Sequence, residues 1–181
     1  MKKAIRLFAA ILCVSTGSAV VIGTPASAAG DSTTTLARHG DHWIDMASDW
    51  ESATACTVGA SGAFCFTTER ELNAHLASAT TAVASGVSIA TACSSTVRLY
   101  DGASYTGAVL QLTTQFVTHN LSSYGFDNRT TSYKIGACSS YFYSNASGGG
   151  SLYPTSNTQA FDQYPSMLSG WNNVLSSVYI T

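Results

Sequence analysis

The sequence predicts a mainly β protein, a β-sandwich of two copies of one four-strand motif that follows a small α+β region. One segment occurs twice: residues 125–135 (GFDNRTTSYKI) recur as residues 170–180 (GWNNVLSSVYI). From residue 93 onward, short stretches of alternating apolar and polar residues are separated by turn sequences, which is typical of β-strands. Two copies of such a unit can pack together and bury an apolar face that one copy alone would expose.

The first 29 residues have the pattern of a secretory signal peptide. Lys2, Lys3 and Arg6 form a basic start, residues 7–14 are apolar, and residues 26–28 (Ala-Ser-Ala) offer a small-residue cleavage site. The apolar stretch is much shorter than the ~20 residues of a transmembrane helix. We therefore expect a secreted chain of about 150 residues, a length that fits one or two small domains.

The chain beyond residue 29 is acidic and poor in charged residues. It contains all ten Asp and Glu but only five of the eight Lys and Arg, so its net charge is about −5. Nucleic acids and anionic membranes bind basic patches, so neither is an expected partner. Charged residues make up 10% of the sequence, against ~25% in an average domain. A neutral polar surface of this kind is common in small secreted β proteins.

Four cysteines remain once Cys13 is removed with the signal peptide. An even number in an exported chain predicts two disulfides, for which three pairings exist. We favour Cys56–Cys65, which would close a local hairpin, and Cys93–Cys138, which would join the beginnings of the two motifs. Zinc binding by these cysteines is disfavoured because the sequence has no C-x-x-C pair.

The region between the signal peptide and the motifs has a mixed pattern. Residues 30–40 are rich in Thr and Ser and are expected to be unstructured, and the apolar spacing in residues 42–50 favours a short helix. Residues 59–62 predict a hairpin turn. Thr68 and Glu71 form a capping box, which predicts that a helix begins there.

The sequence contains no recognisable catalytic arrangement. Acyl transfer needs a nucleophile paired with a base, and no G-x-S-x-G segment is present. His39, Asp41 and His42 lie close together in sequence, but no third metal ligand follows in phase, so we expect a solvated turn. The sequence therefore predicts a protein that is not an enzyme.

Each motif carries the pattern Asn/Asp-Asn/Asp-x-x-Ser/Thr-Ser, as residues 127–132 (DNRTTS) and residues 172–177 (NNVLSS). Each also has a tyrosine seven positions before a glycine, in Tyr100–Gly107 and Tyr143–Gly150. In these features, residues 93–181 resemble a βγ-crystallin domain. The resemblance implies two Greek-key motifs that form one sandwich.

The resemblance also completes the predicted organisation of the chain. The segments are a signal peptide (1–29), a leader with a small α+β region (30–92), a first Greek key (about 93–137) and a second Greek key (138–181). The layout is similar to that of secreted bacterial crystallin-like proteins, some of which inhibit metallopeptidases.

Calcium is the cofactor that the resemblance implies, with ligands from both loops in each site. One site would use Asp127, the carbonyl of Arg129 and Thr131, and the other would use Asn172, the carbonyl of Val174 and Ser176. Because only Asp127 brings a formal charge, we expect weak binding, with a Kd on the order of 10⁻⁴ M or somewhat tighter. The alternative is that these short polar side chains only stabilise turns.

Two other functions remain open at this stage. An inhibitor of extracellular peptidases would present a rigid exposed loop, for which residues 56–65 and residues 144–150 are the candidates. A cell-wall adhesion protein would instead use tyrosine-rich faces to contact glycans.

Overall fold

The computed structural model describes residues 35–83 and 96–181, which form eleven β-strands and one α-helix. The strands are β1 (Leu36–His39), β2 (His42–Asp45), β3 (Ala55–Gly59), β4 (Gly62–Phe66), β5 (Val97–Tyr100), β6 (Val109–Leu112), β7 (Thr118–Asn120), β8 (Ser132–Ile135), β9 (Ser140–Tyr143), β10 (Gln163–Tyr164) and β11 (Ser177–Ile180). Helix α1 (Glu69–Val83) lies between β4 and β5. The predicted signal peptide and Cys93 are outside the described residues.

The strands form two sheets that exchange a strand between the two motifs. Eight strands lie in the order β10-β8-β5-β6-β3-β4-β1-β2, and a second sheet has the order β7-β11-β9. The third strand of the first motif, β7, pairs with β11 of the second motif, whereas β10 of the second motif pairs with β8 of the first. This reciprocal exchange gives the two halves a twofold-like relation and confirms the predicted two-motif architecture.

One apolar core lies between the two sheets. Tyr133 and Ile135 of β8 are buried with Val178 and Ile180 of β11, so the alternation expected for these strands is present. Phe142 of the second sheet meets Tyr133 edge to face, with ring centroids 5.0 Å apart. Aromatic pairs in this geometry add to the stabilisation that burial provides.

The hairpin glycines have the backbone conformation that the repeated pattern requires. Gly107 and Gly150 have φ angles of 77° and 74°, in the left-handed region that glycine adopts at little cost. In the first hairpin, the Asp101 carboxylate accepts the N–H of Ala108 at 2.7 Å. The two predicted tyrosine-to-glycine hairpins are therefore confirmed.

The region before the motifs extends the larger sheet. Strand β3 pairs in parallel with β6, and β1 pairs in parallel with β4. Strands from both sides of the predicted boundary at residues 92 and 93 therefore belong to one sheet. The boundary itself lies outside the described residues.

Two sequence predictions for this region are wrong, because residues 36–45 form a β-hairpin. Strands β1 and β2 pair antiparallel across a two-residue turn, where an unstructured leader and then a short helix were expected. Ala37, Ile44 and Met46 are buried in the core, while Trp43 is 61% exposed. Ile44 and Met46 are two positions apart, the period of a strand, and the pairing of β2 with β1 favours this period over the helical one.

The predicted hairpin at residues 59–62 and its disulfide are both present. Strands β3 and β4 pair antiparallel, and Cys56 is bonded to Cys65 directly across the ladder, with Cα atoms 4.1 Å apart. Cys138 is also disulfide-bonded. Its predicted partner, Cys93, is outside the described residues, so that pairing stays a prediction.

Helix α1 begins at the predicted capping box and is anchored on the sheet. The N–H of Thr68 donates to the Glu71 carboxylate at 3.2 Å, and the N–H of Glu71 donates to the Thr68 hydroxyl at 3.3 Å. Arg98 of β5 pairs with Glu69 at 2.7 Å. Burial, followed by the negative charge of Glu69, raises the pKa of Tyr100 to about 12.

Candidate functional site

The two motif loops lie side by side and hydrogen-bond to each other reciprocally. The N–H of Asn128 donates to the carbonyl of Leu175, and the N–H of Asn173 donates to the carbonyl of Thr130, both at 3.0 Å. Asn128 and Asn173 are equivalent positions of the repeat, as are Thr130 and Leu175. The loops are therefore paired by the same twofold-like relation as the strands.

Side-chain oxygens of the two loops meet across this pairing. The Thr131 hydroxyl donates to Oδ1 of Asn173 at 3.2 Å, and the Ser176 hydroxyl is 3.5 Å from Oδ1 of Asn128. In both cases the fifth residue of one six-residue loop pattern (127–132 or 172–177) contacts the second residue of the other. The result is two matching pairs of oxygens, each containing one atom from each loop.

The second residue of each motif also has a backbone role. Asn128 and Asn173 have φ angles of 54° and 57°, a left-handed conformation that Asn tolerates better than most residues. Thr130 and Leu175 are completely buried and hold the far side of each loop in the core. The two loops therefore share a left-handed residue at 128 and 173 and a buried side chain at 130 and 175.

The last serine of each motif connects its loop to the folded hairpin of the same repeat. The Ser132 hydroxyl donates to the carbonyl of Gly102 at 2.6 Å and accepts the N–H of Tyr105 at 3.0 Å. Ser177 makes the equivalent bonds, at 2.6 and 3.0 Å, within residues 145–148. Both serines are completely buried, so these bonds hold each hairpin against its loop.

The first loop contains a positively charged side chain, Arg129, whereas the second loop has Val174 at the equivalent position. The guanidinium of Arg129 pairs with Asp101 at 2.7 Å and donates to the carbonyl of Gly125 at 2.8 Å. It also lies over the rings of Phe126 and Trp50, 5.0 and 5.9 Å from their centroids. The positive charge is therefore balanced by a carboxylate and by aromatic faces.

Two of the predicted ligands, Asp127 and Ser176, are connected through Asn128, which was not among the predicted ligands. Asp127 is exposed, and its Oδ2 accepts a hydrogen bond from the amide of Asn128 at 3.0 Å. Through Asn128, it is connected to Ser176 of the other loop. Asn128 and Asn173 were absent from the predicted ligand set, although the second position of the motif pattern already contained an oxygen-bearing residue.

The remaining predicted ligands occupy matching places in the second loop. Asn172 is exposed, and Val174 is half-buried at the position equivalent to Arg129. Their assignment as ligands, like that of Asp127 and Arg129, stays a prediction.

His119 has a structural environment and lies apart from this oxygen cluster. Its Nε2 is 2.9 Å from the carbonyl of Thr114, and its Nδ1 is 3.2 Å from the hydroxyl of Tyr124. Burial lowers the pKa of His119, while the hydrogen bond to Thr114 acts in the opposite direction. Burial therefore favours the neutral form of this ring.

The two loops considered for peptidase inhibition differ in how they are held. The hairpin tip at residues 60–62 is exposed, while Cys56 and Cys65 below it are buried. In the other loop, the N–H of Ser147 donates to the Asn120 side chain at 2.6 Å. The first loop is therefore held by a disulfide, and the second is held by a hydrogen bond to strand β7.

Among the described residues, no helix is both long and apolar enough to cross a membrane.

Similar solved structures cover about half of the chain. No protein-family model and no curated protein matches the sequence. A βγ-crystallin from Ciona intestinalis is 19% identical, with a TM-score of 0.41, and the match covers 48% of this chain and 99% of that one. A βγ-crystallin domain from Flavobacterium johnsoniae is 22% identical, with a TM-score of 0.40 and coverage of 47% and 92%. One from Clostridium beijerinckii is 21% identical, with a TM-score of 0.39 and coverage of 47% and 95%.

Over about half of its length, the chain is therefore similar in fold to βγ-crystallin domains. Within the described residues, the exchanged strands, the paired loops and the serine-held hairpins relate the two motifs to each other.

Proposed function

We propose that this protein is a secreted, non-enzymatic calcium-binding protein whose paired loops hold two ions. The observation that carries the proposal is the reciprocal approach of Thr131 to Asn173, at 3.2 Å, and of Ser176 to Asn128, at 3.5 Å. Calcium contacts its oxygen ligands at ~2.3–2.6 Å, so two ligands of one ion lie at most about 5 Å apart. Both oxygen pairs are within that limit.

The chemistry of the loops fits calcium better than a softer metal. Hydroxyl, amide, carboxylate and carbonyl oxygens are the ligands that calcium takes, six to eight at a time. For one ion, the proposed ligands are Asp127, the carbonyl of Arg129 and Thr131, joined by Asn173 of the other loop. For the second ion, they are Asn172, the carbonyl of Val174 and Ser176, joined by Asn128. With Asp127 as the one charged ligand, a Kd on the order of 10⁻⁴ M is expected, as in extracellular calcium modules.

Two features support secretion of the protein. The N-terminal residues have the signal-peptide pattern, and Cys56 is bonded to Cys65. Disulfides persist in oxidising compartments and are rare in the cytosol. The proposed calcium affinity also matches an extracellular setting, where calcium is abundant.

Calorimetric titration of the calcium-free protein tests the proposal. We expect two ions per chain, and we expect Asp127→Ala to weaken binding by about tenfold because it removes a carboxylate, the ligand type whose number tunes affinity. Asn172→Ala should have a smaller effect because it removes a neutral oxygen. Asp41→Ala, which removes an exposed carboxylate from the β1–β2 turn, is the matched control and should bind normally.

Two results would count against calcium binding. One is the absence of heat at millimolar calcium. The other is binding that Asp127→Ala and Asp41→Ala weaken equally, which would indicate only a general effect of net charge.

A peptidase inhibitor is the second candidate function. The observation that favours it is the exposed tip at residues 60–62 on a hairpin closed by the Cys56–Cys65 disulfide. A rigid exposed loop can enter a protease cleft with little loss of entropy. A set of extracellular metallopeptidases and serine peptidases would test it, and no inhibition at micromolar protein would reject it.

A further inference from the structure

Two histidines and a glutamate meet at the end of the β1–β2 hairpin. His39 and His42 are the last cross-strand pair before the turn, with ring centroids 5.3 Å apart. The Glu51 carboxylate is 2.9 Å from Nε2 of His42. One ligand atom from each of the three side chains lies within 4.8 Å of the other two.

This spacing is close to that of ligands around one transition-metal ion. Nitrogen and carboxylate ligands lie ~2.0–2.2 Å from zinc, so the ligand atoms of a tetrahedral site are about 3.3–3.6 Å apart. The side chains of His42 and Glu51 are 56% and 51% exposed. They have room for the movement of roughly 1 Å that would close the set around an ion.

His39 supplies an independent sign of a ligand. The residue is only 9% exposed, and its Nδ1 is buried without a hydrogen-bond partner. Buried polar atoms nearly always have a partner, and an exception requires an explanation such as an ion or a water molecule. The turn that was expected to be merely solvated therefore contains a buried imidazole with an unsatisfied nitrogen.

The fold presents Glu51 to the histidines on a fixed backbone. Trp50 is buried, and its indole N–H donates to the carbonyl of Tyr124 at 2.8 Å. Glu51 has a φ of 54°, and its N–H donates to the Asp49 carboxylate at 2.9 Å. A left-handed conformation at a non-glycine residue persists where its surroundings hold it in place.

We propose that His39, His42 and Glu51 bind one zinc-type transition-metal ion. Two imidazoles and one carboxylate suit zinc and its neighbours, with water in the fourth position, whereas calcium prefers oxygen ligands alone. The site is thus chemically distinct from the paired loops. The third side chain, Glu51, is not in phase with the two histidines in sequence and approaches His42 from nine residues further along the chain.

Zinc calorimetry on the calcium-saturated protein tests this site. We expect one zinc ion per chain. Loss of a supporting residue around a metal site typically weakens binding about 10–100-fold, so His42→Ala and Glu51→Gln, which remove ligands, should each weaken it at least about tenfold. His75→Gln, which changes a histidine that packs on Phe64 and Phe66, should bind zinc like the parent protein.

Nuclear magnetic resonance of the unmodified protein gives a second measurement that does not depend on variants. Zinc should shift the imidazole signals of His39 and His42 and leave those of His75 and His119 unchanged. Three results would each overturn the proposal. The protein could fail to bind zinc, the His42→Ala, Glu51→Gln double variant could bind zinc as tightly as the parent protein, or the shifts could be confined to His75.

Discussion

Phe126→Ala should lower the free energy of unfolding by about 3–5 kcal/mol. The side chain is completely buried, and its ring stacks on Trp50 with centroids 5.6 Å apart. The guanidinium of Arg129 lies over the same ring. Truncation would leave a cavity between the loop of the first motif and the core, beside Trp50 and Arg129.

Urea unfolding measures this effect, and Phe161→Ala is the matched control. Phe161 is the same residue type but is 72% exposed, so its truncation should change stability by less than about 0.5 kcal/mol. Similar losses in the two variants would mean that Phe126 is not part of a tightly packed core.

Removing calcium should have an effect of comparable size. A ligand at 100-fold excess over its Kd stabilises the folded state by about 2.7 kcal/mol per site. Two sites would give about 5 kcal/mol, and for a domain of this size that corresponds to a fall in Tm of roughly 10–20 °C. The physical reason is that the proposed ligands of each ion come from both loops, so they would be brought together only when both halves of the sandwich are folded.

Thermal unfolding of chelator-treated protein, with and without added calcium, measures this shift. Carrying it out in the His42→Ala variant removes a contribution from a transition metal at the β1–β2 hairpin. Magnesium is the control ion, because its demand for octahedral geometry and its retained waters suit these loops poorly. Equal Tm values with calcium and with chelator would contradict the prediction.

The paired loops were predictable because the sequence repeats them. Residues 45 positions apart make the same bonds: Asn128 and Asn173 donate to the opposite loop, and Ser132 and Ser177 hold the hairpins. A repeated chemical pattern implies a repeated local structure. The sequence could not show which oxygens meet, since that depends on how the two halves are placed against each other.

The N-terminal hairpin could not be derived in the same way. Its short strands are stabilised by β4 and by core residues distant in sequence, and local spacing favoured a helix instead. The cluster of His39, His42 and Glu51 was missed for the same reason. Glu51 follows Trp50 in the chain, and Trp50 is held by a hydrogen bond to Tyr124, which lies 74 positions away.

A double-mutant cycle in calcium calorimetry tests most directly whether the loops form shared sites. Thr131→Val removes the hydroxyl from one loop, and Asn173→Gly removes the facing amide from the other while keeping the left-handed backbone accessible. Each should weaken one of the two calcium-binding events by about tenfold, and the double variant should be little worse than either single variant, because both residues serve one ion.

Thr131→Val combined with Ser176→Ala should instead weaken both events. If the effects of Thr131→Val and Asn173→Gly on affinity simply multiply, the two residues act at separate places and the shared sites do not exist.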